Sequence, residues 1–136
     1  MPRRIIFPAA GQVQYACFES RAPGPGEIRV RTLYSLMSIG TETTILHGRY
    51  DAGTHFAARF SFPQIKTGVQ AIGVVEEPGA GVTDFSAGDR IYMRMAHTAE
   101  ATLAAAICSP VPANLDPKGA CWCGLAKTAF RAAHAA

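Results

Sequence analysis

The chain carries little charge for its 136 residues. Only 17% are Asp, Glu, Lys or Arg, below the usual quarter or so, and 13 cations against 10 acids leave a net charge of +3. That surplus is too small to argue for nucleic acid or an anionic membrane as a partner. No apolar run approaches the ~18 residues of a membrane span, and residues 1–10 lack the apolar stretch of a secretory signal. Cys17, Cys108, Cys121 and Cys123 make no CxxC pair and no small secreted framework, which predicts a reducing cytoplasm. No GxGxxG fingerprint occurs, so these residues do not announce a dinucleotide-binding fold of their own. A hydrophobic share of 49% excludes disorder. One domain with a real core remains.

What is present divides unevenly. Up to about residue 95, Gly and Pro turns separate short alternating runs; beyond it the chain is rich in alanine. Arg4–Phe7 and Val13–Phe18 flank Gly11-Gln12, the pattern of a hairpin. Ala22-Pro23-Gly24-Pro25-Gly26 is a turn that no helix crosses. Ile28, Val30 and Leu33 then interleave with Glu27, Arg29, Arg31 and Thr32, which predicts a strand with one buried face. Residues 40–47 predict two helical turns, capped by Thr41 and stopped by Gly48. Residues 49–66 show scattered aromatics without a period and read as a long loop. Gly68–Glu77 is a strand in which Gly73 marks a bulge or a close backbone approach. Ile91, Met93 and Met95 alternate with Arg90, Tyr92 and Arg94 in another. Residues 98–108 fit strand and helix alike. From Asp116, an N-cap followed by Pro117, a helix is expected to about 135, with Trp122, Leu125, Ala126, Ala129, Phe130 and Ala133 as its apolar stripe.

Three blocks carry a resemblance. They are Gly26-Glu-Ile-Arg-Val-Arg-Thr-Leu-Tyr-Ser with Ser38-Ile-Gly-Thr-Glu, then Gly68-Val-Gln-Ala-Ile-Gly-Val-Val, then Gly81-Val-Thr-Asp-Phe-Ser-Ala-Gly-Asp-Arg-Ile. Together they resemble the GroES-like catalytic domain at the N-terminus of medium-chain dehydrogenases/reductases. The likeness runs from about residue 5 through Ala133. It implies a mainly β fold with short helices, a partly open β-barrel filling residues 1–136. Residues 116–136 would form a junction helix leading to a Rossmann domain that binds NAD(P) and is absent from this chain. A helix with no C-terminal stop signal also reads as part of something longer.

Zinc members of that family carry Cys-Gly-Thr-Asp where this chain has Ile39-Gly40-Thr41-Glu42, and Gly-His-Glu where it has Gly68-Val69-Gln70. Ile39 and Val69 offer no lone pair, so a catalytic zinc loses two ligands. The third family ligand falls near Cys123-Gly124, and one cysteine cannot hold zinc alone. The four cysteines of the family's structural zinc lobe are also missing. The resemblance is therefore to a zinc-free member, with no metal expected. It implies hydride transfer between NAD(P)H and a carbonyl/alcohol pair or an activated C=C bond in a small-molecule substrate. Thr41 would meet the substrate oxygen as the catalytic hydroxyl. Gly40, Thr41 and Thr128 would lie at the cofactor, and Ile39, His47 and Val69 would line the substrate pocket.

Blander readings apply elsewhere. Cys121 and Cys123, two apart on a helix, diverge and read as core cysteines. His47, His55, His97 and His134 are too dispersed for a metal motif, although His47 and His55 fall near the expected cleft. Gly79-Ala80-Gly81 is a strand-to-strand turn, and Arg29, Arg31, Arg90 and Arg94 read as solvated strand faces. Two functions stay open: a catalytic-domain fragment of an oxidoreductase, inactive without its nucleotide-binding half, or a stand-alone GroES-like barrel that serves as an assembly or binding module. The uncovered apolar stripe also predicts self-association of the isolated chain.

Overall fold

The computed structural model describes residues 1–135. Strands β1 (Arg3–Ile6) and β2 (Gln14–Cys17) pair antiparallel as a hairpin, Arg3 opposite Cys17. The main sheet holds β3 (Glu27–Leu36), β4 (Gln70–Pro78), β5 (Arg90–Met93), β6 (Glu100–Ala104) and the short β7 (Ser109–Pro110), in the order β6-β3-β4-β5-β7. Every pairing in it is antiparallel. Both sheets are open and neither closes into a barrel. The mainly β class with short helices holds. Among the described residues, no helix is long and apolar enough to cross a membrane.

Sequence explains the sheet. Ile28 and Val30 are fully buried with Ala71, Val75, Ile91 and Met93, which makes one alternating face of each strand the core. Val30 to Leu33 is a step of three, which a regular strand cannot place on one face. The register slips between Thr32 and Tyr34, and Leu33 is left without a partner on β4 and only partly buried. Gly73 sits opposite Thr32, where a Cβ would come within 2.4 Å of Val30 Cγ1 and 2.8 Å of the Arg31 carbonyl. The strands close tightly because nothing is there. The ambiguous stretch resolves as β6 followed by a 3-10 turn at Ala105–Ile107.

Three local expectations are corrected. Helix α1 (Ile39–Leu46) begins one residue early, so Ser38 rather than Thr41 is its N-cap. The Ser38 side chain makes no capping bond; its N–H donates to Glu42 Oε1 at 2.7 Å instead. Gly48, at φ +61°, stops the helix as expected. The supposed loop contains a second helix, α2 (His55–Arg59), whose N-cap Thr54 accepts from the Ala57 N–H. Phe56, Phe60 and Phe62 pack there on Phe7, Ile45 and Ile65, a second small core. The junction helix is two: α3 (Pro117–Ala120), capped by Asp116 as expected, and α4 (Cys123–His134). Between them the Trp122 N–H reaches back only to the Gly119 carbonyl, a tightened turn flanked by two poor helix formers, Gly119 and Gly124.

Candidate active-site cleft

The entry to β4 and the exit of β5 meet α1 and α2 on one side and α4 on the other. Two clefts result. The first, about 540 Å³, lies against α1 and α2 and is lined by Thr41, Glu42, His55, Lys66, Val69 and Arg94, among others. The second, about 460 Å³, lies against α4 and is lined by Val69, Tyr92, Arg94, Cys123, Lys127 and Thr128, among others. Val69 and Arg94 face both. Two hydroxyls far apart in sequence, Thr41 and Thr128, thus stand on adjoining clefts.

The expected site residues do not all gather there. Thr41 and Val69 line the first cleft, Val69 and Thr128 the second. Ile39 is 74% exposed on the first turn of α1 and lines neither, nor does Gly40 beside it, where an added Cβ would meet nothing within 4 Å. His47 lies at the other end of α1, near Gly11, outside both clefts. His55 does line the first cleft. Arg94, expected on a plain solvated face, is exposed but faces both clefts. Cys121 is buried as expected, whereas Cys123 is exposed and not a core residue. Burial raises the thiol pKa of Cys121, against a backbone N–H bond from Ile72 that lowers it. A reactive thiolate has no support there.

The hydroxyls differ in how they are engaged. The Thr128 hydroxyl donates to the Gly124 carbonyl at 3.1 Å, within its own helix, and keeps its lone pairs free. Thr44 spends its proton likewise on Gly40. Among the described residues Thr41 has no such partner, so its O–H is free to donate into the cleft.

Behind Thr41 lies a chain that sequence reading missed. Glu42 is 2% exposed and His97 6%, and Glu42 Oε2 meets His97 Nε2 at 2.8 Å. His97 Nδ1 lies 2.8 Å from Ser35 Oγ on the opposite side. An ionised carboxylate only accepts, so Nε2 carries the proton and, in the neutral ring, Nδ1 accepts from Ser35. Burial pushes the Glu42 carboxyl up, but the His97 bond and the Ser38 N–H outweigh it and hold it below the usual carboxylate range. One sequence signal pointed here. Glu42 stands three residues before Ile45, on the same helix face, so a buried Ile implies a buried and therefore partnered Glu.

Beneath Gly124 of the second cleft, Gln70 is 1% exposed and neither its amide nitrogen nor its oxygen finds a partner among the described residues. Gly124 packs directly on it, since a Cβ there would fall 1.9 Å from Gln70 Oε1. That close approach seats the start of α4 on β4. The rest of α4 is uncovered, with Trp122 just before it 56% exposed and Phe130 61%. Among the described residues no three His, Cys, Asp or Glu side chains come together as metal ligands.

Comparison with known proteins gives this geometry a context. Residues 24–132 match the model of the alcohol dehydrogenase GroES-like domain. A 2-haloacrylate reductase from a Burkholderia species is 39% identical over 70 residues, 52% of this chain and 19% of that protein. Among solved structures, a quinone oxidoreductase of Pseudomonas syringae pv. Tomato DC3000 superposes with a TM-score of 0.65 at 28% identity, over 89% of this chain and 37% of that one. The Escherichia coli quinone oxidoreductase, solved with NADPH, gives 0.60 at 22% identity, over 85% of this chain and 35% of that one. The chain therefore spans about a fifth of the curated relative and little over a third of the two solved chains.

Proposed function

Because the chain belongs to the alcohol dehydrogenase GroES-like domain family, we propose that it is the catalytic part of an NAD(P)-dependent oxidoreductase that works without catalytic zinc. The reaction moves a hydride to or from a carbonyl/alcohol pair or an activated C=C bond. Two quinone oxidoreductases and a haloacrylate reductase among the relatives support an activated double bond as acceptor.

The observation that carries this reading is the free hydroxyl of Thr41 on a cleft whose wall, Val69, continues into the cleft of Thr128. NAD(P)H, when bound, supplies the hydride that no side chain provides. The groove along α4 fits such a group by its donors. Thr128 has lone pairs left to accept a carboxamide N–H, Val69 offers an apolar wall, and Lys127 and Arg131 suit phosphate oxygens. The donor set does not fit zinc, since Val69 and the outward-facing Ile39 stand where the family's zinc members carry ligands and no substitute cluster occurs among the described residues. Elemental analysis of the purified protein finding one tightly held zinc would contradict that part.

In place of a metal, Thr41 Oγ–H donates to the substrate oxygen on which negative charge develops as the double bond becomes single. The overall reduction would add a hydride from NAD(P)H to one carbon and a proton from solvent to the other end of the double bond, leaving NAD(P)⁺. In the full-length protein, Thr41→Val should lower kcat about 10²–10³-fold, the usual loss for one such donor. Cofactor affinity should hardly change. A Thr41→Val enzyme with normal turnover would remove Thr41 from the mechanism.

A further inference from the structure

Charges are distributed unevenly over this molecule. Away from the clefts three arginines meet carboxylates, Arg21 with Glu27 at 2.6 Å, Arg29 with Glu77 at 3.0 Å and Arg31 with Glu76 at 3.3 Å, while Arg3 and Arg4 lie over aromatic rings and Arg90 donates to backbone carbonyls. Around the Thr41 cleft stand Arg59, Lys66 and Arg94, and among the described residues none has a carboxylate within 4.0 Å. Glu42 is the one acid lining that cleft, and its two oxygens are taken by the Ser38 N–H and His97. Three like charges on one concavity repel each other, and low-dielectric walls concentrate their field inward. In a chain with so few charged residues, that grouping is the largest electrostatic feature of the cleft.

The rest of its lining joins an apolar wall, Ile45, Phe56, Phe60, Val69 and Met95, to the polar side chains of Thr41, His55 and Thr67. Inorganic anions have no use for such walls, whereas an organic anion with a short hydrocarbon body uses both. A cleft of about 540 Å³ is of small-molecule size. We infer that the substrate is a small unsaturated carboxylate, its carboxylate held by Arg59, Lys66 and Arg94 and its carbon skeleton laid against Phe56, Met95 and Val69. This rests on the hydride-transfer reading and makes it specific: the three cations set substrate class, and Thr41 reaches an oxygen of the same carboxylate.

The cations have a rival occupant in the phosphates of the cofactor, and the test separates the two. Binding of crotonate and of its uncharged methyl ester to the full-length protein is measured by NMR titration, with and without saturating NADP⁺. The expected result is crotonate at least about tenfold tighter than the ester, as charge-assisted hydrogen bonds require, and undisturbed by NADP⁺. In the triple variant Arg59→Gln, Lys66→Gln, Arg94→Gln, the ratio should fall near one. Equal affinities, a preference that survives in the triple variant, or displacement of crotonate by NADP⁺ would each overturn the proposal. NADPH oxidation with the neutral acceptor methyl vinyl ketone keeps the two readings apart. Reduction of that ketone without any preference for carboxylate removes the anion site alone. Crotonate binding with no acceptor reduced supports the anion site and removes the hydride chemistry.

Discussion

The two ends of strand β4 handle charge in opposite ways. At its C-terminal end, Glu76 and Glu77 answer Arg29 and Arg31 of the neighbouring strand, a cross-strand ladder on a half-exposed face. At its N-terminal end, Val69 opens onto a cleft whose cations have no carboxylate partner and whose one acid is consumed by a buried histidine. The ladder is complete in itself and asks nothing of a ligand. The cleft is incomplete in itself. Its cations are exposed to water but grouped around one concave, partly apolar surface, whereas those of the ladder are answered by carboxylates of the next strand.

Disrupting the cleft's support should have the largest effect on stability. His97→Ala leaves the Glu42 carboxylate buried with one fewer partner, and depriving a buried group of its hydrogen bond costs about 1–3 kcal/mol, towards the upper end for a charged one. Urea unfolding measures it, and a loss below about 1 kcal/mol would mean that water replaces the imidazole freely. Acid should act on the same pair. A carboxyl held below its usual range contributes stability above that range and loses it as pH falls through the lowered value. The ladder end should be far less sensitive. Arg29→Ala removes ion pairs that water already screens, and the expected cost is below about 1 kcal/mol. A cost as large as that of His97→Ala would show that the ladder, too, is a structural keystone and dissolve the contrast.

These two regions were not equally legible in the amino-acid sequence. Alternation at Ile28 and Val30 and at Ile91 and Met93 reports burial locally, two residues at a time, so the sheet could be read from its strands. Gly73 was legible for the same reason, because a glycine inside a strand has few meanings. Thr41 was misplaced as a cap because Ser38 and Thr41 both look like caps, and only the backbone decides which residue starts the helix. Helix α2 has five residues, too few to show a period. Glu42 and His97 lie 55 positions apart, and the cleft's cations come from three separate segments. No local pattern links them; the topology does. Ile39 and His47 show the converse situation. They neighbour Thr41 in sequence, yet the helix turns one out to solvent and carries the other to its far end.

The central claim is that the Thr41 cleft is where hydride meets substrate. Its most direct test is isotopic. The full-length protein is given NADPH deuterated at the transferable C4 position together with an acceptor bearing an activated double bond, and the product is examined by NMR. One deuterium on the reduced carbon per NADPH consumed, slowed by Thr41→Val without loss of that label, is the predicted result. Product without deuterium, or NADPH consumed with no label transferred, would contradict it.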